Sequence, residues 1–86
     1  MEEEFFYACE DGKVEDVIRL LQNEQININW QNESYSLQTP FHRACEKGYI
    51  EVVKLLLNDE RVEISKVDKY GFTSLHININ CETVIK

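Results

Sequence analysis

Glycine and proline are scarce in this chain, three and one among 86 residues. The glycines stand at 12, 48 and 71, too far apart to build a phosphate-cradling loop, and no nucleophile elbow is present. No apolar run approaches the ~20 residues that a membrane-spanning helix needs, so no membrane partner is expected. Cysteine is low and odd in number: Cys9, Cys45 and Cys81. That is no disulfide framework, and it suits a reducing compartment, cytoplasmic or nuclear. Basic residues are few as well. Nine Lys and Arg face sixteen Asp and Glu, for a formal net charge of −7. Without a basic patch, phosphate backbones are repelled and nucleic acid is not an expected partner. The opening Met1-Glu2-Glu3-Glu4 has the wrong sign for a secretory or transit leader.

What remains is an ordinary folded composition, 43% hydrophobic and 29% charged, of a length that fits one small domain. Its organisation lies in an internal repeat. Ala8-Cys9-Glu10-Asp11-Gly12 returns as Ala44-Cys45-Glu46-Lys47-Gly48, an offset of 44 − 8 = 36. Behind each glycine the apolar spacing is shared: Val14, Val17, Leu20 and Leu21 answer Ile50, Val53, Leu56 and Leu57. A second echo, Thr39-Pro40-Phe41-His42 with Thr73-Ser74-Leu75-His76, has an offset of 73 − 39 = 34. The two-residue mismatch places an insertion ahead of Thr39.

Local chemistry turns the repeat into elements. Thr39 before Pro40 is a helix start, since the hydroxyl caps and proline at the first position loses only an orphan donor. Gly48 predicts the stop, in a left-handed closing conformation. A second helix is expected over about 50–58, apolar around most of its circumference because it packs between neighbours. The alternating stretches Ile26-Asn27-Ile28-Asn29 and Val62-Glu63-Ile64-Ser65 predict extended chain, and Asp68-Lys69-Tyr70-Gly71 predicts a turn. Phe41, Ala44, Val53, Leu56 and Leu75 are the expected core.

The stretch from Thr39-Pro40-Phe41-His42 through Gly48 to Leu55-Leu56-Leu57 resembles the ankyrin repeat family, whose hallmark is a Thr-Pro-Leu-His helix start. The resemblance implies an all-α ankyrin-repeat solenoid: two helix pairs plus a partial third repeat, joined by hairpin-like loops. Residues 1–29 would be a capping repeat, 30–65 a full repeat and 66–86 a partial C-terminal one. Departures are plain. The first copy lacks Thr-Pro, and in the third Asn78-Ile79 replaces Ala44-Cys45 while Glu82 replaces Gly48.

The resemblance also implies a role, a protein–protein interaction module and not an enzyme. Loop tips and inner helices of such repeats line a concave groove that grips a partner protein. Carried onto this chain, the tips are 31–38 and 67–72, which nominates Gln31, Glu33, Tyr35, Leu37, Lys69, Tyr70 and Phe72. Arg43, Glu46 and Lys47 are the helix positions facing the groove, with Tyr7, Glu10 and Asp11 in the preceding unit. Thr39 with His42 and Thr73 with His76 are implied structural pairs, and Gly48 and Gly71 serve turns. Of the aromatics, Tyr35 is expected to be exposed, whereas Trp30 and Phe72 have equal claim to packing loop against loop. A basic partner is favoured by the acidic first helix through electrostatic steering.

Other sites compete weakly. His42 and Cys45 share a helix face, but structural zinc wants four ligands and no second pair has the spacing, so no metal and no cofactor is expected. Cys9 and Cys45 read as small buried hydrophobes, and Cys81, outside the repeat register, as the more reactive thiol. No nucleophile, base and orienting group converge. Two further readings are an N-terminal segment of a larger protein and self-association. Leu75, Ile77, Ile79, Val84 and Ile85 supply an apolar face with no following helix to cover it, so residues 75–86 are the expected self-association site.

Overall fold

A computed structural model describes residues 1–74. Leu75, the pair Thr73–His76 as far as His76 is concerned, Cys81 and the proposed self-association segment 75–86 lie wholly or partly outside the described residues. Within them the chain is all-α, with four helices: α1 (Glu2–Glu10), α2 (Val14–Leu21), α3 (Pro40–Lys47) and α4 (Ile50–Leu57).

Each boundary has a local cause. α1 opens on three glutamates, which complement the positive end of its dipole. The Glu2 carboxylate also accepts the backbone N–H of Asn27 at 3.0 Å, and that bond holds its pKa below the ordinary value. α3 opens on a capping box: Thr39 Oγ1 accepts from the His42 N–H, and His42 Nδ1 accepts from the Thr39 N–H. Gly48 closes α3 at φ +72°, and the amides of residues 48 and 49 bond back to Cys45 and Ala44. Gly12 turns α1 into α2 at φ +70°, and a Cβ there would stand 3.0 Å from the Tyr49 ring. Tyr49 therefore relies on the absence of a side chain in the neighbouring unit.

The helices pair α1 with α2 and α3 with α4, and the pairs stack with α1 on α3 and α2 on α4. Between them lie Phe5, Ala8, Cys9, Val17, Leu20, Phe41, Ala44, Cys45, Val52, Val53 and Leu56. Each of the larger apolar side chains contributes roughly 1.5–3 kcal/mol by leaving water. Phe41, Ala44, Val53 and Leu56 are buried as the shared register predicts. Burial pushes the Cys9 thiol far up, which keeps it a neutral, unreactive hydrophobe.

The segments after α2 and α4 differ from the extended chain expected of them. Among the described residues no strand forms, only an isolated bridge between Asn32 and Gln38. Side chains have captured the backbone instead. Asn23 accepts the Gln25 N–H, Asn27 the Asn29 N–H and Asp59 the Arg61 N–H, each two residues on. These tight local turns compete with a ladder and win where no partner strand is available. Ile26 and Ile28 are buried by this course, while Ile64, the counterpart of Ile28, is 39% exposed.

Candidate protein-binding surface

The two loop tips are variants of one design. In the second, Asp68 donates its N–H to the Phe72 carbonyl at 2.9 Å, and its Oδ1 accepts the N–H groups of Tyr70 and Phe72. Burial works to raise the Asp68 pKa, but these amides outweigh it and hold the carboxyl below its ordinary value. Asn32 stands 36 residues earlier and does the same work. Its N–H donates to Gln38 at 2.9 Å, and its Oδ1 accepts the Ser34 N–H. The rings so closed span 72 − 68 = 4 and 38 − 32 = 6 residues. The insertion inferred from the repeat offsets thus lies between Asn32 and Gln38. It takes the form of a 3-10 turn, Glu33–Tyr35, followed by Ser36 and Leu37 at φ +57° and +60°. Gly71 supplies the left-handed backbone of the shorter loop at φ +82°, whereas the longer one forces it on two residues that carry side chains.

Hydrogen bonds tie the tips side by side. Lys69 N–H donates to Ser36 O at 2.8 Å, and Gln31 Nε2 donates to both Leu37 O and Val67 O. Lower down, Asn29 bridges to Arg61 O and the Glu63 N–H. The Arg61 guanidinium, paired with Asp59, caps the end of α2 at Leu21 O and Asn23 O. His42 joins the second tip to α3. Because Nδ1 accepts from Thr39, the ring proton sits on Nε2, which donates to the Phe72 carbonyl at 3.0 Å. The ring is fully buried, and burial pushes its pKa below 6.5, so it is neutral.

The nominated residues divide into those held inward and those presented outward. Arg43 is held. Its guanidinium grips Glu10 of α1, donates to Gln38 Oε1 and to the Glu46 carboxylate, and stacks over the Tyr35 ring at 4.9 Å from the centroid. Gln31 is held by its two carbonyls. Tyr35, expected to be exposed, is half-buried. It packs against Phe6 at 5.0 Å and Tyr7 at 6.0 Å, because the inserted loop folds back onto α1. Trp30 likewise meets Phe6, at 6.0 Å, and Leu37 is half-buried. Presented outward are Tyr70 (66% exposed), Phe72 (50%) and Tyr7 (40%), with Glu33, Glu46, Lys47 and Lys69 around them. Glu10, buried under Arg43, is a residue whose role the sequence did not signal beyond its place on α1.

This geometry agrees with the comparison to known families. A model described as "Ankyrin repeats (3 copies)" matches residues 5–86. The chain belongs to the ankyrin repeat family, whose repeats are non-catalytic interaction modules. Among solved structures it is similar to a chain in the Bd0816 predatory endopeptidase from Bdellovibrio bacteriovorus in complex with immunity protein Bd3460. That likeness has 28% sequence identity and a TM-score of 0.79, and it covers 94% of this chain and 42% of the other. This chain therefore spans less than half the length of the one it matches. No curated protein sequence matches it. No helix among the described residues is long and apolar enough to cross a membrane.

Proposed function

We propose that this chain binds a partner protein through the concave surface formed by its loop tips and inner helices α1 and α3. The reading takes residues 1–29, 30–65 and 66–86 as successive repeats of a solenoid, the last partial. The observation that carries it is the second tip. Tyr70 and Phe72 stand two-thirds and one-half exposed on a loop whose backbone is fixed by Asp68, Gly71 and His42. A loop whose backbone is already fixed loses less entropy on docking, and aromatic residues are the common anchors of interfaces. The similar solved chain comes from a complex of two proteins, an endopeptidase and an immunity protein, which supports a binding role in the same direction.

Once a partner is in hand, its affinity for Tyr70→Ala and Phe72→Ala should fall at least tenfold, with Glu51→Gln on α4 unchanged. Equal affinity for the tip variants, with loss in Glu51→Gln, would place the interface on the opposite face and overturn the reading.

A further inference from the structure

Phe6 and His42 stand at the same place in successive repeats, 42 − 6 = 36 residues apart. The His42 ring is satisfied by Thr39 and by the Phe72 carbonyl, and the aromatic side chains of the second tip stay in solvent. Phe6 offers no polar atom to its tip. It is fully buried yet lies outside the core cluster, and what covers it is aromatic: Trp30 at 6.0 Å and Tyr35 at 5.0 Å. Tyr35 reaches it from the inserted segment, touching α1 through Phe6 and Tyr7 and α3 through Arg43. A side chain of the first tip thus fills the part of the groove that a partner would enter.

The place that Tyr35 occupies is built to take a ring. Its floor is the Arg43 guanidinium, whose edges are taken up by Glu10, Gln38 and Glu46 and whose face is left for stacking. A guanidinium already fixed by its edges stacks on an aromatic without further ordering of its own. Phe6 and Tyr7 form the wall. The occupant is held less firmly than the floor. Tyr35 is only half-buried, and its hydroxyl makes no hydrogen bond among the described residues. Its delivery also puts Ser36 and Leu37 in left-handed backbone, which residues with side chains adopt only under constraint. Another ring in its place would keep the stacking and the cover over Phe6 while those two residues relax. Release gives up the bonds from Lys69 N–H to Ser36 O and from Gln31 Nε2 to Leu37 O, which make the closed state the resting one. We propose that Tyr35 is a built-in occupant, displaced when a partner protein inserts a phenylalanine or tyrosine of its own, with residues 33–37 laid along the partner. The inference rests on the protein-binding reading above and names the side chain that the groove receives.

The test titrates 4-methylphenol, the side chain of tyrosine, into the 15N-labelled wild type, Tyr35→Ala and Ser36→Gly. Saturable shifts at Phe6, Tyr7 and Arg43 are expected. A site that is free in a minor fraction of molecules binds more weakly by that fraction, so Tyr35→Ala should bind about tenfold or more tighter than wild type. Ser36→Gly relieves the strain of the closed loop and should bind several-fold more weakly than wild type. 4-Methylcyclohexanol, of similar outline but without a ring current or π face, should bind about tenfold more weakly than the phenol. Unchanged helical spectra verify the folds, and the comparison of wild type with Ser36→Gly stands even if Tyr35→Ala does not fold. No saturable shift in wild type near the solubility limit of the phenol, equal response to the cyclohexanol, or tighter binding by Ser36→Gly would overturn the proposal. A natural partner should bind Tyr35→Ala more tightly than wild type. Loss of its affinity in that variant would make Tyr35 a contact residue and overturn the displacement, an outcome that leaves the protein-binding reading standing.

Discussion

Arg43 on α3 and Glu10 on α1 face each other across the two stacked helix pairs, with Nε and Nη2 at 3.0 and 2.8 Å from one carboxylate oxygen. Both side chains are mostly withdrawn from water, 14% and 10% exposed. Removing one partner strands the other charge in a poorly solvated place. Arg43→Ala or Glu10→Ala should therefore destabilise the chain by about 2–4 kcal/mol, more than a surface ion pair is worth. In a double-mutant cycle the two losses should be strongly non-additive. Urea denaturation of the four proteins measures the coupling, and simple additivity would show that the pair does not link the repeats.

His42 predicts a pH dependence of defined sign. Its folded pKa lies below the unfolded value of 6.5, with burial as the main cause. The unfolded chain then binds the proton first, so stability is lost as pH falls through 6.5 toward the folded value. Asp59, lowered chiefly by its bond to Arg61, and Asp68 act separately, losing their contribution only as pH drops below about 3.8. Melting temperature should thus decline between pH 7 and 5, and the decline should be reduced in His42→Gln. His42→Ala itself should cost about 1–3 kcal/mol, since it leaves the buried Thr39 N–H without its acceptor, while the Phe72 carbonyl keeps the Asp68 N–H.

The two loop tips predict substitutions of opposite sign. Ser36 holds a left-handed backbone at φ +57°, so Ser36→Gly should stabilise by about 0.5–1 kcal/mol through relief of strain. Gly71→Ala should destabilise by about 1 kcal/mol. A Cβ at Gly71 meets nothing within 4 Å, so its cost is one of backbone conformation alone. Gly12→Ala should be worse, because strain adds to the close approach of Tyr49. Thermal denaturation of the three variants orders them, and a stabilising Gly71→Ala would contradict the loop geometry.

Residues 75–86 carry the expectation of self-association. Sedimentation from micromolar to millimolar concentration should show a weight-average mass that rises with concentration, and substitution of Ile77 and Ile79 by Ser should reduce the rise. A strictly monomeric chain would contradict it.

Much of this was legible in the sequence because it is local. Thr39-Pro40, Gly48 and the apolar register set helix limits within a residue or two, and the mismatch between offsets of 36 and 34 located an insertion before any loop was seen. What was not legible depends on stacking. Arg43 carries no sequence mark that separates a groove residue from one clamped by Glu10, 33 residues away. Nor does Gln31 announce its bond to Val67, 36 residues on. Tyr35 was expected in solvent because longer loops project. Here the loop takes two left-handed residues and turns back onto Phe6 and Tyr7, a course that Ser36-Leu37 does not advertise as a glycine would have.

The central claim is that a partner protein is gripped by the tips and inner helices, and amide hydrogen exchange of the bound chain tests it most directly. Added protection on binding should map to residues 31–38 and 67–72 and to α1, with α2 and α4 exchanging as in the free protein. Protection concentrated on α2 and α4, around Ile18, Glu51 and Lys54, with the tips unchanged, would contradict it.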